Sequence, residues 1–211
     1  MKKGLRNVSA ICGIAGVLML IVSFNINPGP PQGATDEQLI SFGHHYFTSI
    51  LWGAWLQTIG PFLIIVFAFS LVFLCGKAQT LAGWMVFFGA GVLMTISLIE
   101  ITFYIAVLFK DPPVGSVIGL NMIYSVQHLY FIIGAPALFI PLGIVLRKAQ
   151  ILPEWFSWLA FLIGILFGIL GVVFLLQLIL PVWVTAIAGI QAFWWLGSSI
   201  MILIRTEKKL K

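Results

Sequence analysis

The sequence predicts an all-α polytopic membrane bundle of six transmembrane helices with both ends in the cytoplasm, and three features carry that prediction. Only 8% of the residues are charged while 61% are hydrophobic, whereas a soluble domain carries about 25% charged residues. Six long apolar runs recur along the 211 residues, and roughly 20 apolar residues suffice for a helix to cross a hydrocarbon core. When six spans are drawn from an inside N-terminus, ten of the eleven Lys and Arg residues fall on one side, as expected of a cytoplasmic face.

The first span, residues 8–24, follows basic Lys2, Lys3 and Arg6. It reads as a membrane helix rather than a signal peptide, because Phe24, Asn25, Ile26 and Asn27 stand where a small-x-small cleavage pattern would close a leader. Pro28, Gly29, Pro30, Pro31 and Gly33 then stop any helix. Thr35-Asp36-Glu37-Gln38 has the form of a capping box, which predicts a short amphipathic helix through Leu39, Ile40 and Phe42 lying on the outer surface.

The second span covers 46–74, with a kink predicted at Gly60-Pro61, and the third covers 81–109. Asp111-Pro112-Pro113 predicts a tight outer turn. The fourth span, 117–146, contains Pro136 and Pro141, which membrane helices tolerate when neighbours satisfy the freed carbonyls. The fifth, 155–178, places Gly164, Gly168 and Gly171 nearly on one face, a spacing that admits close helix approach. The sixth covers 182–204, and the six spans make one transmembrane domain.

The net charge of +5 follows from this orientation, with Lys110 the lone outer basic residue, so it does not imply a nucleic-acid partner. Cys12 and Cys75 lie near inner helix ends without a CxxC pattern and read as small packing residues. Lys77-Ala78-Gln79-Thr80-Leu81 followed by Trp84 matches Lys148-Ala149-Gln150-Ile151-Leu152 followed by Trp155. Either the second and third spans are duplicated in the fourth and fifth, or the match arose independently.

Glu100 is the one carboxylate deep in a predicted span, and such a residue usually faces a partner or a cavity. At 1.5 Å per residue it lies about 15 Å below the outer end of its span, His128 about 17 Å below its own, and Gln57 and Gln191 at similar depth. Tyr104 stands one turn from Glu100, and Tyr124 and Asn121 precede His128 on the same helix face. These seven residues predict a polar pocket opening toward the outer side, with Glu100 and His128 paired at its base.

Three uses of such a pocket remain open: carriage or binding of a small solute or lipid, with Glu100 exchanging a proton; acid and base catalysis; and a polar lock between helices in a structural or accessory subunit. The partners implied are the lipid bilayer, a small solute or lipid, and another membrane protein or a second copy. No catalytic residue is assigned and no cofactor is implied, since Walker, GxSxG, HExxH and CxxCH motifs are absent. His44 and His45 are adjacent, so their side chains diverge on a helix, and with Glu100 and His128 too few for a ligand set no metal is predicted. Trp84, Trp155, Trp158 and Trp183 are expected at the headgroup boundary. Trp52, Trp55, Trp194 and Trp195 lie deeper and are expected to pack between helices or, as the alternative, to line the pocket.

The run Arg147-Lys-Ala-Gln-Ile-Leu-Pro-Glu-Trp-Phe-Ser-Trp158, entering a glycine-rich apolar helix, resembles a segment of uncharacterised bacterial six-helix integral membrane proteins. The first helix, proline-rich loop and acidic amphipathic stretch resemble their layout as well. The resemblance implies a bacterial inner-membrane location and brings no activity and no site residues with it.

Overall fold

Hydrocarbon offers the backbone no hydrogen-bond partner, so a spanning segment built of these apolar runs must close its own ladder as a helix. A computed structural model of the chain describes residues 3–29, 31, 33–108, 114–149, 151–176 and 181–204. In order these form α1 (Lys3–Ile26), α2 (Asp36–His45), α3 (Phe47–Leu74), α4 (Leu81–Leu108), α5 (Val114–Leu129), a π-helical turn (Tyr130–Gly134), α6 (Ala135–Ala149), α7 (Glu154–Leu175) and α8 (Pro181–Ile204). Among the described residues six helical segments are long and apolar enough to cross a membrane: α1, α3, α4, the rod made by α5, the π turn and α6, then α7 and α8. The predicted turn at Asp111-Pro112-Pro113 and the predicted end of the fifth span at Leu178 lie outside the described residues.

The helices meet in a ring that follows chain order, with α8 between α7 and α1. Small residues set the α1–α3 seam. The Ser9 hydroxyl donates to Ser70 Oγ at 2.7 Å, and the Ser23 hydroxyl donates to the Gly53 carbonyl at 2.9 Å. Between them Gly16 and Gly60 bring their backbones together, a Cβ on Gly16 falling 2.7 Å from the Gly60 carbonyl oxygen. Close approach of this kind is how helices gain dispersion energy where lipid removes the hydrophobic drive.

Proline placement explains why α4 is the helix on which its neighbours rely. Pro61 lies inside an unbroken α3 and cannot donate to the carbonyl of Gln57; the Ser97 hydroxyl of α4 donates to that carbonyl instead, at 3.2 Å. Pro141 likewise leaves the Ala137 carbonyl of α6 without its i+4 donor, and this oxygen lies against Gly89 of α4 so closely that any Cβ there would overlap it. At Pro136 the rod widens into the π turn, whose last bond runs from the Ala135 N–H to the Tyr130 carbonyl. The fourth span thus accommodates its prolines with a register change within the helix. Gly171 and Gly164 of α7 accept Ile132 and Ile140 of the same rod, which gives the predicted glycine face its partner.

The apolar interior falls into two clusters. The larger holds Phe67, Phe139, Phe156, Trp194 and Trp195, and the Trp194 indole donates to the Phe156 carbonyl at 2.7 Å. The smaller holds Ile50, Ala54, Ile101, Tyr104, Leu120 and Ile123, with Leu39 of α2 seated among them. Thr35 and Gln38 form the predicted capping box: the Gln38 N–H donates to the Thr35 hydroxyl and the Thr35 N–H to the Gln38 side chain. α2 thus lies across this end of the bundle, against α3, α4 and α5. Trp194 and Trp195 pack internally as expected. Trp52 and Trp55 do not: they stay 55% and 49% exposed, edge to face, on the outside of α3.

The contact with Ala137 makes Gly89 sensitive to one methyl group. Gly89→Ala is expected to lower stability by about 1–3 kcal/mol, the range for forced overpacking, while Gly91→Ala, which meets open space, is expected to be neutral; thermal unfolding in detergent measures both. Burial pushes the Cys75 thiol up to about 12, with Lys77 opposing the shift. The thiolate is the reactive form, so Cys75 should resist maleimide at pH 8 in the folded protein and react once the chain is unfolded in dodecyl sulfate.

Candidate functional site

Three helices place a polar side chain at the boundary between the two apolar clusters. On α3 the inward stripe runs Ile50, Ala54, Gln57, Pro61, Ile64. On α4 it runs Leu93, Ser97, Glu100, Tyr104, Val107. On α5 and the π turn it runs Leu120, Ile123, Gln127, Phe131. Helical periodicity alone aims these residues at a common axis. By rise per residue, Gln57 lies about 15 Å from the start of α3, Glu100 about 12 Å from the end of α4, and Gln127 about 20 Å from the start of α5.

The carboxylate of Glu100 is held between two carboxamides. Gln57 Nε2 donates to Oε2 at 2.7 Å and Gln127 Nε2 donates to Oε1 at 3.1 Å. Glu100 is 8% exposed and Gln57 4%. One turn earlier on α4, Ser97 donates to the Gln57 backbone carbonyl, so Gln57 is fixed at both ends of its residue by the same helix. The site can accept a proton or another single positive charge at the carboxylate, and each amide can present either its N–H or its carbonyl oxygen to what binds there.

Of the residues singled out from sequence, Glu100 and Gln57 are brought together. The α5 contact to Glu100 comes from Gln127, one residue before the expected His128. The His128 ring instead packs edge-on against Phe174 of α7, centroids 3.5 Å apart. Gln191 belongs to a separate contact, in which the Tyr130 hydroxyl donates to its Oε1 at 2.6 Å, tying the π turn to α8. Tyr104 is buried in the smaller cluster, Asn121 is exposed, and the Tyr124 side chain lies outside those described. On the α2 side the layer is covered by the smaller apolar cluster, where the sequence predicts an open pocket.

Gln127, Ser97 and Tyr130 are the participants that sequence reasoning passed over. The signal for Gln127 was available in the apolar period of Leu120, Ile123 and Phe131, which points at residue 127 and leaves 128 about 100° round the helix. Among the described residues no group of three or more His, Cys, Asp or Glu stands together as a metal site.

Breaking one bond of this trio strands a buried polar group, at a cost of about 1–3 kcal/mol, whereas removing all partners together is close to neutral. Gln57→Leu is expected to destabilise the protein within that range, and the triple variant Gln57→Leu, Glu100→Leu, Gln127→Leu is expected to recover most of the loss in the same unfolding measurement. Additive losses would show the three side chains to be energetically separate.

No protein-family model, curated protein or solved structure matches this chain.

Proposed function

We propose that this protein binds or carries a small solute or lipid across a bacterial inner membrane, with Glu100 taking up and releasing a proton in the cycle. Both termini and the basic turns at Lys77 and Arg147 lie in the cytoplasm in this reading, and α2 closes the outer end of the bundle. The carrying observation is a lone carboxylate between two amides, at bilayer depth, with an apolar cluster on either side. Neutral side chains would lock these helices with hydrogen bonds worth about 0.6 kcal/mol each. A carboxyl in the same place adds a cost of roughly 2.5–3.5 kcal/mol, together with a capacity that a neutral lock lacks: it can hold and release one charge.

The arrangement corresponds to a closed state. The smaller cluster under α2 is the thinner of the two seals and the one whose displacement opens the layer toward the outer side. The repeated Lys-Ala-Gln-x-Leu turns read as the trace of a duplicated hairpin, a design that places a binding layer between its halves. The competing reading, a structural or accessory subunit, draws on the complete pairing of the carboxylate oxygens by Gln57 and Gln127.

A pH jump applied to the protein on a solid-supported membrane separates the two. The carrier reading expects a transient charge displacement that Glu100→Gln abolishes while helix content is unchanged. Equal transients in parent and variant would remove the proton role.

A further inference from the structure

The π turn contains one residue more than a regular helix needs, and its position between two polar contacts gives that extra residue a consequence. Immediately before the turn, Gln127 bonds Glu100; its first residue, Tyr130, bonds Gln191. If the turn relaxes to a regular α-helix while α6 stays in place, every residue of α5 moves on by one position. That is about 1.5 Å along the axis and about 100° around it. The position opposite Glu100, now held by residue 127, then passes to residue 128.

We propose that Tyr130–Gly134 is a register switch that exchanges Gln127 for His128 against Glu100, which makes His128 a second proton-handling residue of the site; this rests on the carrier reading above. The same step carries the rest of α5 with it. Leu120, 1% exposed in the smaller cluster, gives way to Asn121, so an apolar residue of the seal is replaced by a polar one on the path from α2 to Glu100. Phe131 replaces Tyr130 at Gln191, and the tie to α8 is released. A proton on the Glu100 carboxyl then has an imidazole nitrogen to pass to, leaving a carboxylate beside an imidazolium, with no net charge added to the layer.

Several features equip the segment for this. Pro136 cannot restore the regular ladder bond to the Ile132 carbonyl, which removes a bond that would hold one register over the other. π turns of a single extra residue occur frequently at functional sites. In the observed register Gln57 from α3 and Gln127 from α5 face Glu100, and Phe174 from α7 lies against the His128 ring. The sequence match between the two hairpins also sets His128, not Gln127, as the counterpart of Gln57.

Solid-state NMR in lipid bilayers tests the exchange without reference to transport. In a His44→Gln, His45→Gln background, His128 is the sole histidine, and dephasing between 15N-histidine and 13Cδ-glutamate reports its approach to Glu100. Gln127→Leu, which removes the amide that favours the observed register, should show strong dephasing where the parent shows little, while a variant lacking Ile133, whose turn has no extra residue to release and so keeps residue 127 opposite Glu100, should show as little as the parent. Absence of dephasing in Gln127→Leu, or equal dephasing in all three proteins, overturns the register exchange. A missing charge transient in the pH-jump experiment with dephasing present would instead sink the carrier reading alone.

Discussion

Every carbonyl freed inside a hydrocarbon layer must find company within the protein, and the prolines of this chain create that demand at defined places. Pro61 frees the Gln57 carbonyl and Pro141 frees that of Ala137; Ser97 and Gly89, two turns apart on α4, lie against the two oxygens. α4 is thereby fixed in depth and rotation against both α3 and α6. Glu100 lies less than one turn beyond Ser97, so the placement of the carboxylate follows from how the backbone of its neighbour is satisfied.

The same demand accounts for the division of the interior. Below the layer, aromatic side chains from α3, α6, α7 and α8 interlock around Trp194 and Trp195; above it, shorter aliphatic residues fill the space under α2. The polar trio occupies the plane where the two packings meet. The two glutamines supply the donors to the Glu100 oxygens, one from α3 and one from α5.

Much of this was legible in the sequence, for physical reasons that differ from residue to residue. Span limits follow from length and apolarity, and the capping box from the donor and acceptor spacing at Thr35 and Gln38. Glu100 and Gln57 could be chosen because polar residues at bilayer depth are costly enough to be informative. The partner on α5 was misread, since charge complementarity favours His128 while helical phase favours Gln127, the residue that bonds Glu100. Gln191 was chosen by depth, but depth carries no information on azimuth, and its side chain meets Tyr130. Trp52 and Trp55 failed similarly: a tryptophan well inside a span is as compatible with lipid as with a neighbouring helix.

The off-centre level of the polar trio has an electrical corollary. Counted by rise along α4, Glu100 stands roughly a third of the way in from the end nearer α2. An elementary charge crossing 100 mV exchanges about 2.3 kcal/mol, so one that reaches Glu100 from that end traverses about a third of the field, about 0.8 kcal/mol. In the carrier proposed above, loading of the carboxylate from the α2 end would therefore be weakly voltage-dependent, and release toward the other end would take the larger share of the potential.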